Sequence, residues 1–195
     1  MTDDALARAA DALRAGDLVV YPTETVYGLG ADATDPDAVE RVFETKGRDR
    51  DKPVSLAVPD AEAALEYANP TARERRFMHE FLPGPVTVVV ERAGSVPDVL
   101  TAGRDRVGVR VPDHETALAL LERFAPVTAT SANVSGTGSV RDLSELSADV
   151  REAVAVTVDG GRTPGGGSTV VDVEAGEIHR RGQLADEIED WLAGA

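Results

Sequence analysis

Short apolar runs rich in valine recur along the chain, at Asp17–Tyr21, Val54–Val58, Val86–Val90, Val107–Val111, Val127–Thr130, Val154–Val158, Thr169–Val173 and Ile178–Arg180. Runs this short and this continuous read as strands buried on both faces. Between them lie segments with helical spacing: Leu6, Ala9, Ala10 and Leu13 ahead of Gly16, then Val39, Val42 and Phe43 behind Asp35-Pro36, then Ala117–Phe124. Residues 60–82 predict two helices broken at Asn69-Pro70, residues 143–153 predict another, and Ile188, Trp191 and Leu192 mark a closing helix over about 183–193. Such alternation predicts an α/β fold, a single domain over residues 1–195 with a twisted, mixed sheet and flanking helices.

Composition narrows the chemistry. There is no cysteine, which excludes a disulfide framework, a thiolate nucleophile and a zinc-thiolate site. No run of about 18 apolar residues is present, and Met1-Thr2-Asp3-Asp4 lacks leader features, so a cytoplasmic protein without a membrane segment is expected. The formal net charge of −15 opposes nonspecific binding to RNA or DNA. All but two of the 20 basic residues are arginine. An acidic surface so poor in lysine is expected of a halophilic protein, and it implies that Lys46 and Lys52 were kept for a specific purpose.

Four stretches carry candidate chemistry. Tyr21-Pro-Thr-Glu-Thr-Val-Tyr-Gly-Leu-Gly30 follows a predicted strand and must turn sharply. It reads either as a threonine-capped strand-to-helix loop or as a ligand crevice beyond a strand's carboxyl end. Lys46-Gly47-Arg48, with Arg50 and Lys52, ends a helix; these cations complement the macrodipole, but their clustering beside a glycine suits a polyphosphate better. Thr130-Ser131-Ala132-Asn133-Val134-Ser135-Gly136 leaves a strand and is either a simple turn or a set of small hydrogen-bonding groups. Gly165-Gly166-Gly167-Ser168-Thr169 is either a flexible loop or a backbone nest for an anion. The phosphate-loop and dinucleotide-binding glycine signatures and the nucleophile elbow are missing, and His79, His114 and His179 have no metal-ligand spacing.

Taken in order, Tyr-Pro-Thr-Glu-Thr-Val-Tyr-Gly-Leu-Gly, Lys-Gly-Arg-x-x-x-Lys-Pro, Pro-Gly-Pro-Val-Thr, Val-Arg-Val-Pro, Thr-Ser-Ala-Asn-x-Ser-Gly and Ser-Thr-Val-Val-Asp, between about residues 17 and 182, resemble the YrdC-like family, the threonylcarbamoyl-AMP synthases. The resemblance implies condensation of L-threonine, bicarbonate or CO2 and ATP to threonylcarbamoyl-AMP and pyrophosphate, with Mg2+ accompanying ATP. A separate tRNA threonylcarbamoyl transferase then takes the product. Lys46, Arg48, Ser131 and Asn133 match the family's Lys-x-Arg and Ser-x-Asn tetrad, which implies catalytic roles. Arg48, Lys52, Ser131, Ser139 and Arg180 are implied to bind ATP, and Thr25, Arg110 and Ser168 to bind threonine. Ala57 stands where many relatives have a polar residue, and Gly167 replaces a frequent proline. The chain resembles the short form, without an additional C-terminal domain. The alternatives are an RNA-binding module using Lys46, Arg48, Lys52, Arg104, Arg106 and Arg110, and a paralogue with another carbamoyl acceptor.

Overall fold

The computed structural model describes residues 3–194. In chain order the elements are α1 (Asp3–Arg14), β1 (Leu18–Tyr21), β2 (Gly28–Gly30), α2 (Pro36–Lys46), β3 (Ser55–Ala57), α3 (Ala72–Phe81), β4 (Val86–Glu91), α4 (Asp98–Thr101), β5 (Arg106–Arg110), α5 (Glu115–Leu121), β6 (Val127–Ser131), α6 (Ala148–Ala153), β7 (Val154–Thr157), β8 (Thr169–Asp172), β9 (Glu177–Arg180) and α7 (Ala185–Gly194). The nine strands among the described residues form one sheet, ordered β7-β1-β2-β6-β3-β5-β4-β8-β9. It is mixed, as predicted: β1–β7, β3–β5 and β4–β8 run parallel and the other pairs antiparallel. No helix among the described residues is long and apolar enough to cross a membrane.

Successive side chains of a strand point to opposite faces, and the two halves of the sheet use this differently. In β1, Val19 and Tyr21 pack with Leu6, Leu13, Leu120 and Leu121, while Leu18 and Val20 pack with Leu29, Val42 and Val150. Both faces are covered, so the run reads as uninterrupted, and each such side chain contributes about 1.5–3 kcal/mol on burial. Along β3, β5, β4 and β8, only one face is covered this way: Leu56, Val88, Val107, Val109 and Val171 meet Phe77, Met78, Leu100 and Ile188 from α3, α4 and α7. Their neighbours Ser55, Ala57, Thr87, Arg106, Gly108, Arg110 and Asp172 line a cavity instead of a second helical layer. The crevice is therefore on the face of the sheet as well as beyond strand ends.

The Tyr21–Gly30 stretch is not a strand-to-helix loop. Residues 28–30 return as β2, paired antiparallel with β1 so that Tyr21 opposes Gly28 and Val19 opposes Gly30. The glycines are required for space: a Cβ on Gly28 would stand 2.9 Å from the Tyr21 ring, and one on Gly30 2.7 Å from Val127 and 3.0 Å from that ring. Tyr21 lies across both positions and donates from its hydroxyl to the Thr128 carbonyl at 3.2 Å.

Two predicted helices are shorter than their patterns. In the first half of residues 60–82 only a 3₁₀ turn forms, at Ala63–Glu66, because the next main-chain groups join the edge of β4: Asn69 N donates to Glu91 O and Ala93 N to Tyr67 O. Thr71 and Glu74 then form a reciprocal capping box that starts α3. Residues 143–153 divide at two competing caps, Asp142 for a 3₁₀ turn and Ser147 for α6. Gly28→Ala or Gly30→Ala is expected to lower unfolding free energy by about 1–3 kcal/mol through overpacking. Gly94→Ala, at a position with open space around it, should change it by less than about 0.5 kcal/mol in the same urea titrations.

Candidate functional site

The cavity has a volume of about 880 Å³ and is lined by Thr25, Arg48, Lys52, Arg110, Ser131, Ser139, Ser168 and Arg180 among others. The structure thus gathers most of the residues singled out from the sequence onto one set of walls. Lys46 and Asn133 stand behind the walls. The added lining residues Ser55, Asp105 and His179 had no motif to mark them; Thr23 lies within the Tyr-Pro-Thr-Glu-Thr motif, and the alternation Arg106-Val-Gly-Val-Arg110 carried the signal for a strand with one polar face.

Gly47 separates the two cations of the Lys-Gly-Arg motif. It adopts a left-handed φ of 55° at the end of α2, where Gly47 N donates to Glu44 O and Arg48 N to Phe43 O. Beyond this turn Arg48 reaches the cavity, donating from Nε to Lys52 O at 3.0 Å and from Nη2 to Pro53 O at 2.9 Å. Lys46, on the buried side of α2, is only 2% exposed. Its Nζ donates to the main-chain oxygen of Ser131 and, at 2.7 Å, to that of Asn133. Burial, with the charge of Arg48, pulls its pKa down to about 8. The expectation that Lys46 faces the crevice beside Arg48 is corrected: its ammonium satisfies two carbonyls at the exit of β6. Asn133 is likewise structural in its contacts, donating from Nδ2 to Val134 O and Thr137 O at 2.8 and 2.9 Å and accepting at Oδ1 from the Ser131 hydroxyl.

On the opposite wall, Arg110 ends β5 with its side chain 12% exposed. Its Nη2 donates to Glu24 Oε1 at 2.6 Å and Thr25 Oγ1 at 2.9 Å. Thr25 is held by the turn that follows β1, where Thr23 Oγ1 accepts from the amides of Thr25 and Val26. Gly165 N donates to Thr25 O at 2.8 Å, and Gln183 donates to Gly165 O at 3.1 Å. The glycine-rich segment is therefore pinned against the threonine turn. Arg180 Nε and Nη2 donate to Ser168 O and Oγ at 3.0 and 2.7 Å. Burial, then the charges of Arg110 and Arg48, lower its pKa. Ala57 contributes a bare methyl to this wall. Lys52 lies at the rim, paired with Asp49.

Five of the six cations named for a basic groove line this one cavity, but not all six offer a free charge to it. Lys46 is buried, Arg110 is paired with Glu24, and Arg106 is paired with Glu74 and Asp172. What the geometry offers is an open hollow with several guanidinium groups held from behind by main-chain oxygens or carboxylates, each with donors remaining.

Lys46 generates a test with a definite sign. Its native pKa of about 8 lies below the ordinary 10.5, so between these values the unfolded chain holds more protons and stability rises with pH. The lowered pKa corresponds to about 3 kcal/mol relieved across that window. Denaturation of wild type against Lys46→Met, followed from pH 7.5 to 10.5, should show the difference in wild type's favour growing with pH. A difference that does not change with pH would contradict a buried, titrating ammonium.

The Sua5/YciO/YrdC family model, described as telomere recombination, matches residues 11–182. The threonylcarbamoyl-AMP synthase of Pyrococcus abyssi is 42% identical over 168 residues, 85% of this chain and 49% of that protein. The chain spans about half the length of this and another of the curated relatives it matches. The threonylcarbamoyl-AMP synthase of Shigella boydii is 35% identical over 92% of this chain and 96% of its own length. The crystal structure of P. abyssi Sua5 complexed with L-threonine superposes with a TM-score of 0.87 at 40% identity, covering 97% of this chain and 57% of that one. Matched over most of its length in sequence and in fold, the chain belongs to the Sua5/YciO/YrdC family.

Proposed function

We propose that this chain acts as one YrdC-like unit that condenses L-threonine, bicarbonate or CO2 and ATP to threonylcarbamoyl-AMP and pyrophosphate. The observation that carries the reading is a single cavity that holds two kinds of anion-binding group. Arg110 and Thr25 offer a guanidinium and a hydroxyl in mutual contact, while Arg48 and Arg180, the latter resting on Ser168, have no carboxylate within ion-pair distance among the described residues. The first set suits an amino acid's carboxylate and the second a polyphosphate. The names of the Pyrococcus and Shigella relatives, and the threonine complex of Sua5, support the same assignment.

In this reading the threonine amine bonds to the carbon of CO2 and loses a proton, giving a carbamate. A carbamate oxygen attacks the α-phosphorus, the bond to the β-phosphate bridging oxygen breaks, and pyrophosphate leaves with that electron pair. The protein supplies position and charge, with Arg48 and Arg180 stabilising the phosphates and Ser131 donating near the reacting centre. Lys46 and Asn133 act through the Ser131 segment they hold. Lys52 and Ser139, which also line the cavity, are assigned to the rest of the nucleotide.

The residues present do not fit a protein-built Mg2+ cage. No metal-holding cluster of acidic or histidine side chains occurs among the described residues, and Asp172 is engaged by Arg106 and the Ala175 amide. Mg2+ accompanying ATP would be held chiefly by the nucleotide's own oxygens. The product would pass to a tRNA threonylcarbamoyl transferase in the cytoplasm, and the formal charge of −15 disfavours direct RNA binding.

Pyrophosphate release in high salt should require ATP, bicarbonate and threonine together; release that ignores threonine would overturn the reading. Arg48→Ala should lower kcat by about 100-fold or more with little change in melting temperature, because its partners are main-chain oxygens. Arg110→Lys, which keeps the charge but loses the fork, should raise KM for threonine at least about tenfold while KM for ATP stays within about threefold.

A further inference from the structure

Not all the cavity's guanidinium groups carry the same net charge. Arg48 and Arg180 donate only to main-chain or hydroxyl oxygens, and Arg104 donates to Asp51 O at 3.1 Å. None of these three has a carboxylate within ion-pair distance among the described residues. Arg110 differs. Glu24 stands behind it, outside the cavity lining, with its side chain 14% exposed and Oε1 on Arg110 Nη2. The pair leaves Glu24 Oε2 and Arg110 Nε buried and without partners. The consequence of this pairing is electrostatic: Glu24 neutralises Arg110, as Glu74 and Asp172 neutralise Arg106, while Arg48, Arg104 and Arg180 have no ion-pair partner among the described residues.

We propose that Glu24 is a positioning residue that sorts the two anionic substrates, by cancelling the charge of Arg110 so that a carboxylate is held there by directed hydrogen bonds and the polyphosphate is drawn to Arg48 and Arg180. This rests on the functional reading above. Coulomb attraction for a multiply charged phosphate grows with the net charge of the wall, whereas a hydrogen bond from a guanidinium survives neutralisation by a group behind it. Arg110 and Arg48 both depress the pKa of Arg180, so the three share one electrostatic field. With Glu24 uncharged, Arg110 joins the phosphate-attracting set, and an anion bridging the three displaces threonine.

The experiment is calorimetric titration of L-threonine, with and without saturating inorganic pyrophosphate, into wild type, Glu24→Gln and Glu24→Asp. In wild type, pyrophosphate should change the threonine Kd by less than about threefold, since a neutralised Arg110 does not draw the second anion. In Glu24→Gln it should raise that Kd at least about tenfold, and Glu24→Asp, which restores the charge, should return toward wild type. A Glu24→Gln variant whose threonine Kd ignores pyrophosphate overturns the proposal, and a role confined to structural support would give that result. Strong competition in wild type overturns it even if the Gln variant fails to fold. Failure of wild type to bind threonine at all would instead refute the functional reading on which the proposal stands.

Discussion

The pleat of a β-strand sends neighbouring side chains to opposite faces, and the site depends on how β5 exploits that rule. Val107 and Val109 enter the core with Phe77, Leu100 and Ile188, and this burial fixes the strand's register and rotation. Gly108 and Arg110 must then face the other way, onto the cavity, and Arg106 both lines it and reaches Glu74 of α3. A slip of one residue would put arginines into the core and valines into the cavity. The apolar contacts on one side therefore position the charges on the other.

Support from behind recurs at each charged group. Lys46 holds the carbonyls of Ser131 and Asn133, Ser168 holds Arg180, Lys52 O and Pro53 O hold Arg48, and Glu24 with Thr25 holds Arg110. Long side chains fixed this way lose little further freedom when a ligand arrives, which is how a preformed site gains affinity. Arg110 and Glu24 form a mostly buried ion pair, a type whose disruption by removing one member is costly, about 3–5 kcal/mol, because the remaining charge stays buried. Arg48 is not exposed to that penalty, since its protein partners are carbonyls.

Much was legible in the sequence. The valine runs marked strands, Asp35-Pro36 and Gly47 marked both ends of α2, and the ordered motifs named the residues that line the cavity. Gly28-Leu-Gly30 was not legible as a strand, because glycine has no β propensity of its own; the pairing with β1 and the Tyr21 ring lying over the missing side chains make it one. Nor was the helix content of residues 60–69 legible, because the edge of β4 claims main-chain groups that a helix would have used internally.

The sequence by itself determined the fold class, the family and the roster of candidate groups, since these follow from local periodicity and from the order of motifs. Only the tertiary structure decided which way each group faces. Lys46 and Arg48 stand two residues apart, yet one is buried beneath β6 and the other opens on the cavity, because a left-handed glycine and the packing of α2 intervene. Glu24 and Arg110 lie 86 positions apart and become an ion pair only when the turn after β1 meets the end of β5. Burial and charge balance are properties of neighbours in space, and chain order does not contain them.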